Sequence, residues 1–294
     1  MAELYADQAA GLRRLFAREP LRVVAFAAGS PGVGKSVLVA NLASCLAQQG
    51  RTVLVLDETT KKNVASCFGV SSRHDLMQVI ARERSLSEVL QNVAPGVLIL
   101  TAAKAVKKLG KLNAQQQRAL SASLSAMEDP VDVILVDTSQ DHPLGFSPLG
   151  LAAHETVIVM SPTAASITDA YALIKKVSLG YSRRNYRVLV NGVRGMEEGR
   201  AVFGNIARVT HSRRFARLEF AGCVPLDERL HQAASLCQPV GSLYPEALAA
   251  KACRKLAGDM LCWRLPGEDV GGLEQFVQQL LHLSQHIDPV AIYA

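Results

Sequence analysis

Gly29-Ser30-Pro31-Gly32-Val33-Gly34-Lys35-Ser36 is the stretch of sequence that decides the fold. A glycine, four variable residues and then Gly-Lys-Ser form a pattern whose backbone N–H groups can close around phosphate oxygens. The apolar run directly before it, at 21–28, predicts a strand, and the stretch 36–49 directly after it predicts a helix. In this strand–loop–helix context the pattern indicates a phosphate-binding loop (P-loop) rather than a chance glycine-rich turn.

The loop and one later strand supply the candidate groups for binding a nucleotide. Lys35 is placed to bridge the β- and γ-phosphates, and Ser36 to hold Mg²⁺. The apolar run that ends in Asp137 reads as a strand with a terminal carboxylate, which can reach the same Mg²⁺ through water. The predicted cofactors are therefore ATP or ADP with Mg²⁺. The candidate nucleotide-binding residues in the loop are Gly29, Gly32, Val33, Gly34, Lys35 and Ser36.

Short apolar runs alternate with helical patterns along the chain. The runs are rich in β-branched residues and show little polar alternation, as expected for a parallel sheet covered on both faces. They lie at 21–28, 52–56, 97–101, 131–136, 156–160 and 186–191. Helical patterns lie at 36–49, 76–93, 113–127 and 164–180. The alternation predicts an α/β fold with a doubly wound, mostly parallel sheet and helices on both faces.

The composition is that of a globular protein of the cytoplasm. With 49% apolar and 20% charged residues, global disorder is excluded, and a net charge of +6 permits an anionic partner without selecting one. The six cysteines form no C-x-x-C pair, so we expect thiols in a reducing compartment rather than disulfides or a zinc site. The first residues lack the apolar core of a signal peptide. The sequence contains no run of about 20 apolar residues, so we expect no membrane span.

Two terminal segments stand apart from the predicted domain at 20–258. Residues 1–19 form a candidate amphipathic helix before the first strand, and residues 259–294 form a tail with a break at 263–267 and a last helix at about 272–287. The apolar residues of that last helix fall largely along one face, which fits either peripheral docking at the inner membrane or folding back onto the domain. Its polar face carries glutamines and histidines, so attraction to anionic lipid is weak.

The sequence resembles the MinD/ParA superfamily of deviant-Walker P-loop proteins, and within it the flagellar-number regulators called FlhG or FleN. The resemblance covers most of the chain. The motifs that carry it are DQAAGLR at 7–13, the P-loop, VLD at 55–57 with Asn63, SPT at 161–163, SITDAY at 166–171, VN at 190–191, VPLD at 224–227 and PV at 239–240. It implies a MinD-like P-loop NTPase fold of the SIMIBI class, in which Asn191 contacts the adenine base and the chain forms a homodimer.

The DQAAGLR motif implies a protein partner. In the family this segment engages FlhF, a GTPase of the signal-recognition-particle type, and stimulates its GTP hydrolysis. Carried over to this chain, the partner-binding residues are Asp7, Gln8, Leu12 and Arg13, within residues 1–20. On a helix Gln8 and Leu12 share a face, with Arg13 beside it. By itself the segment would read as an amphipathic surface helix.

Three departures from the family pattern bear on catalysis. Ser30 stands where the family carries a signature lysine that reaches the partner's nucleotide, and Thr59 stands where an Asp positions the attacking water. Asp141 replaces the glycine that usually ends the turn after the Walker B strand. Because single charge contacts can be worth about 10³-fold in phosphoryl transfer, the sequence predicts an ATPase with degenerate catalytic positions, which binds ATP but hydrolyses it weakly or not at all.

Two other functions remain open. A ParA-like partitioning or positioning ATPase would bind DNA or another cargo through basic clusters such as those at 104–111, 183–187 and 213–214. Solvated helix faces explain such clusters more simply, so DNA is not an expected partner. A reductase component would need paired cysteines, and a ligase would need intact hydrolytic residues; the sequence favours neither.

Overall fold

A single sheet organises the part of the chain that the structure, a computed structural model, describes: residues 20–60, 62–127, 130–140, 142, 146–264 and 272–286. Its strands are β1 (Arg22–Ala27), β2 (Val53–Asp57), β3 (Gln91–Ala94), β4 (Val97–Thr101), β5 (Val133–Asp137), β6 (Glu155–Met160), β7 (Asn185–Val193) and β8 (Arg217–Pro225). They lie in the order β3-β4-β2-β5-β1-β6-β7-β8. Neighbours run parallel except β3 and β4, which pair antiparallel. The predicted mostly parallel sheet is confirmed.

Helices cover both faces of this sheet. They are α1 (Lys35–Gln48), α2 (Leu76–Ile80), α3 (Leu86–Val89), α4 (Ala114–Ser125), α5 (Pro148–Ala152), α6 (Ala164–Tyr181), α7 (Met196–Arg213), α8 (Glu228–Ser235), α9 (Val240–Leu243), α10 (Leu248–Leu261) and α11 (Leu273–His286). Two short 3₁₀ helices span Ala65–Phe68 and Leu109–Lys111. The doubly wound arrangement is therefore as the sequence predicts.

Alternate residues of the central strand enter two different cores. Val24 and Phe26 of β1 pack with α1 and α10 on one face of the sheet. Val23 and Ala25 pack with α4, α5 and α11 on the other. All residues of β1, β2 and β5 are buried, which explains why these strands read as apolar runs without polar alternation.

The carboxyl ends of the three central strands meet at one edge of the sheet. Asp57 at the end of β2 is in register with Asp137 at the end of β5, and Phe26 of β1 is in register with Asp137 on its other side. The loop that follows β1 is the P-loop. The fold thus places this loop beside two buried carboxylates, at the edge where parallel α/β sheets bind their ligands.

The predicted helix at 76–93 is wrong. The segment contains α2, a break, α3 and the edge strand β3. Asp75 and Gln78 form a capping box that starts α2, while Ser85 and Glu88 form a second one that starts α3. A second N-cap inside one apolar pattern means that a new helix begins there, and the chain turns between the two helices at Arg82, whose φ is 59°.

The C-terminal helix α11 folds back onto the domain. Phe276, Val277 and Leu280 are buried in the core formed with α4 and α5. The structure thus favours the second of the two readings of its apolar face, because the residues that would enter a membrane are already covered. The boundary expected at residue 258 falls inside α10, which continues to Leu261.

Within the described ranges, no helix combines the length and the apolar character that crossing a bilayer would require.

Candidate nucleotide-binding site

The P-loop forms one wall of a cleft of about 560 Å³. It leaves β1, turns through Gly32 and Gly34, and enters α1 at Lys35, so the N-terminal end of a 14-residue helix points into the cleft. Residues 58–60 and Lys62 after β2, Lys107 after β4, and residues 138–140 after β5 form the rest of the lining. Free N–H groups at a helix N-terminus favour anions, so the cleft suits phosphate.

Three predicted site residues meet at the floor of the cleft. Asp137 is completely buried, and the Ser36 hydroxyl donates a hydrogen bond to its Oδ2 at 2.6 Å. The Lys35 ammonium donates to Oδ1 of the same carboxylate and forms a buried ion pair with it. The ammonium, the hydroxyl and the carboxylate expected to act on phosphate and Mg²⁺ are therefore in direct contact, and their individual roles stay predictions.

Asn191, near the end of β7, forms a hydrogen bond with the backbone of the P-loop. Its Nδ2 donates a hydrogen bond to the Val33 carbonyl at 2.8 Å. Gly34 has a φ of +81°, which favours glycine, and an added Cβ would lie 2.4 Å from that Nδ2, so the Asn191 side chain would have to move. Asn191 also lines a cavity of about 100 Å³ on the far side of the loop, together with Asn41 and Val224. Its predicted contact with an adenine base stays a prediction.

Thr59, the residue at the water-positioning place, binds a neighbouring carboxylate. Its backbone N–H and its hydroxyl both donate to Asp57 Oδ1, at 2.9 and 2.6 Å, and the Val64 N–H donates to Oδ2 at 2.6 Å. Burial raises the pKa of Asp57 to about 6, with a further contribution from the charge of Asp137. The Thr59 hydroxyl can still accept a hydrogen bond from water, but it carries no negative charge and is a much weaker base than a carboxylate.

Glu58 is a site residue that sequence reasoning missed. It lines the cleft yet is only 2% exposed. The Ser139 N–H donates to its Oε2 at 2.8 Å, and the Ser147 hydroxyl donates to Oε1 while accepting from the Gly150 N–H at 3.0 Å. Glu58 thereby ties the end of β2 to the turn after β5 and to the start of α5. Its one sequence signal is its place directly after the strand-terminal Asp57.

The floor of the cleft carries more buried negative than positive charge. Asp57, Glu58 and Asp137 are all buried, and Lys35 is the ammonium that lies among them. Hard oxygen donors of this kind fit Mg²⁺, which is usually held by one or two protein groups together with phosphate and water. Accordingly, the residues described form no cluster of three or more His, Cys, Asp or Glu side chains able to hold a metal alone. Ser36 and Asp137 are the groups that would hold the ion.

The stability of the folded chain should depend on pH through Glu58. Burial raises the pKa of Glu58 from 4.5 to about 7, so the folded state holds this proton more tightly than the unfolded state does. The resulting stabilisation is complete below pH 4.5 and is lost as the pH rises to about 7. A shift of this size corresponds to about 3 kcal/mol. Urea unfolding should show that the free energy of unfolding falls less between pH 5 and pH 8 in Glu58→Gln than in the wild type.

The exposed Glu83 offers a matched control for that measurement. Glu83→Gln should keep the wild-type pH dependence. Asp57 titrates in the same direction, so some decline should persist in Glu58→Gln. An equal fall in the free energy of unfolding in the wild type and in Glu58→Gln would contradict the raised pKa assigned to Glu58.

Several predicted residues lie outside the described part of the chain. They are Asp7, Gln8, Leu12 and Arg13 of the N-terminal segment and Asp141 after β5. Ser30, which stands at the signature-lysine position, lies in the described part and lines the cleft.

The sequence is similar to a known protein family and to two flagellar or regulatory proteins over most of its length. A family model described as an AAA domain matches residues 21–189. The antiactivator FleN of Pseudomonas aeruginosa is 32% identical over 273 residues, which cover 92% of this chain and 97% of that protein. The flagellum site-determining protein YlxH of Helicobacter pylori is 25% identical, covering 88% of this chain and 90% of that protein.

Solved structures show the same fold. The cell-division protein MinD of Aquifex aeolicus matches with a TM-score of 0.63 at 21% identity, over 83% of this chain and 98% of that one. MinD of Pyrococcus horikoshii, solved in complex with Mg-ADP, matches with a TM-score of 0.58 at 21% identity, over 81% of this chain and 95% of that one.

Proposed function

This chain belongs to the MinD/ParA family of P-loop proteins, and we propose that it is a nucleotide-binding regulator of flagellar number or placement. The observation that carries the proposal is the match to the antiactivator FleN along nearly the whole of both chains. The similarity to a flagellum site-determining protein supports it. The P-loop, with Lys35, Ser36 and Asp137 in contact, supports binding of ATP or ADP with Mg²⁺.

Weak ATP hydrolysis is part of the proposal. Ser30 brings no positive charge to the cleft, and Thr59 donates its hydroxyl proton to Asp57. Neither residue can supply the transition-state contact that the family places there. The chain then acts as a switch whose output is its bound nucleotide and its partner, rather than as a fast enzyme.

The proposed partner is an FlhF-like GTPase, bound through residues 1–20. The family resemblance assigns partner binding to this segment, and its polar residues Gln8 and Arg13 can form hydrogen bonds near another protein's active site. We propose that the chain acts in the cytoplasm. The apolar face of α11 is buried against the domain, so this helix does not serve as a membrane contact.

Addition of the full chain should raise GTP hydrolysis by the FlhF-like GTPase of the same organism, and a peptide of residues 1–20 should do so too. The variant Gln8→Ala/Arg13→Ala should be inactive in both forms, because it removes the polar side chains to which partner binding is assigned. In the same phosphate-release assay the chain alone should turn over ATP only slowly. No stimulation by the peptide, with no binding of the full chain to the GTPase, would overturn the flagellar assignment.

A partitioning-type ATPase that binds DNA is the second candidate, and one surface groove favours it. The groove, of about 870 Å³, lies at the edge of the sheet beside β8 and contains Arg184, Arg208, Arg214, Arg217 and His211. Arginine binds phosphate in a bidentate manner, so such a groove can follow a nucleic-acid backbone. If the purified chain binds DNA with an affinity that falls steeply with salt, and does not stimulate the GTPase, DNA partitioning becomes the preferred function.

A further inference from the structure

The segment between β4 and α4 carries a lysine into the nucleotide cleft. Lys107 is exposed and lines the cleft, whereas its neighbours Lys104 and Lys108 are exposed but are not part of the lining. The segment follows the carboxyl end of β4, which neighbours β2, and β2 in turn neighbours β5. Lys107 therefore approaches the site from the side opposite the P-loop.

This segment is held in place by buried contacts. The carboxylate of Asp75, itself 5% exposed, accepts hydrogen bonds from the Lys104 N–H at 2.9 Å and from the Ala105 N–H at 3.1 Å. Ala105, Val106 and Leu109 are buried in the core under the segment. A backbone fixed on both sides of Lys107 keeps this lysine beside the cleft, so an anion that binds has to order the side chain but not the segment.

The end of the cleft that Lys107 reaches is the one next to the Mg²⁺ groups. The His142 Nε2 lies 3.5 Å from the Val106 carbonyl, so the segment contacts the chain just after residues 138–140. Those three residues follow Asp137 directly and line the cleft with Lys107. Ser36 and Asp137 would hold the Mg²⁺ that accompanies the nucleotide, so the terminal phosphate would belong at this end of the cleft.

Charge supplies the reason for a second cation there. The floor of the cleft holds three buried carboxylates and Lys35, and Ser30 adds no charge where a lysine would otherwise stand. A triphosphate brings one more negative charge than a diphosphate does, and that charge falls on the terminal phosphate. A cation near this position has a larger effect on ATP than on ADP.

We propose that Lys107 binds the terminal phosphate of ATP from within the same chain and so makes the site prefer ATP to ADP. The inference rests on the proposed nucleotide binding and deepens it by naming the residue that separates the two nucleotide states. The positive charge that Ser30 lacks is then supplied by a different loop, for binding rather than for hydrolysis.

The test uses variants of the full chain in which one lysine is replaced by glutamine, at position 62, 104, 107 or 108, together with Lys107→Arg. Calorimetry measures their affinities for a non-hydrolysable ATP analogue and for ADP, each with Mg²⁺, after thermal unfolding has shown that each variant is folded. Lys107→Gln should weaken binding of the ATP analogue about tenfold and change binding of ADP less than about twofold, and Lys107→Arg should recover most of the loss. The matched controls Lys104→Gln and Lys108→Gln should stay within about twofold of the wild type for both ligands.

Several results would overturn the inference. An equal loss for both nucleotides, or no loss, would show that Lys107 does not recognise the terminal phosphate. A selective loss of ATP-analogue binding in Lys62→Gln instead would assign the role to Lys62, another exposed lysine of the cleft lining. A wild type that binds ADP but shows no preference for ATP refutes Lys107's role alone, whereas a wild type that binds neither nucleotide also refutes the proposed function.

Discussion

Replacing Lys35 by methionine should weaken the binding of ATP and ADP at least about tenfold, which corresponds to about 1.4 kcal/mol, and should also destabilise the empty protein. The first effect follows from the role proposed for this ammonium, which would bridge two phosphates of the bound nucleotide. The second follows from the ion pair with Asp137, which is completely buried. Removal of one partner leaves a buried carboxylate without its counter-charge, at a cost of about 3 kcal/mol or more. Calorimetry and urea unfolding measure the two effects separately.

A second substitution separates the structural part of this effect from the functional part. Lys35→Met/Asp137→Asn removes both charges and leaves the Ser36 hydroxyl a carbonyl oxygen to donate to. The double variant should recover most of the lost stability and none of the nucleotide affinity. Lys255→Met serves as the control, because its pair with Asp259 is exposed and should change stability by less than about 1 kcal/mol. Full nucleotide affinity in Lys35→Met would refute the role assigned to the P-loop.

The central strands could be predicted because burial on both faces leaves a direct record in the sequence. β1, β2 and β5 are covered by helices above and below, so nearly every position is apolar. The edge strand β8 was missed for the opposite reason. Most of its residues are half-buried or exposed, and its sequence RLEFAGCVP mixes polar and apolar positions without a clear period. A strand of this kind is specified by pairing with β7, which no local pattern reveals.

The site divides in the same way. The P-loop and Asp137 lie in local motifs and were found from the sequence. Glu58 was missed because its environment consists of Ser139 and Ser147, which are 81 and 89 residues away along the chain. Asn191 was identified only by family resemblance, since its contact with the Val33 carbonyl spans 158 residues. Contacts of this length belong to the fold, and the sequence around each residue carries no sign of them.

Gly29 and Gly32 of the P-loop should respond very differently to substitution by alanine. A Cβ on Gly29 would lie 2.2 Å from the carbonyl carbon of Asp169 and 2.6 Å from the Ala170 nitrogen, both backbone atoms of α6. Backbone cannot move aside as a flexible side chain can, so either α6 or the loop must shift. Gly32 has a φ of +79° and no atom within 4 Å of its added Cβ, so its alanine variant meets only local strain.

Gly29→Ala should therefore lower the free energy of unfolding by about 3 kcal/mol and weaken nucleotide binding, whereas Gly32→Ala should cost about 1 kcal/mol. Urea unfolding of the two variants side by side checks the difference. Equal stabilities would mean that the loop and α6 do not pack as closely as described. The contact also gives a physical reason for a motif that resemblance alone had singled out. The TDAY stretch at 168–171 is where α6 contacts the P-loop: the backbone of Asp169 and Ala170 lies against Gly29, and the missing side chain of Gly29 allows this close approach.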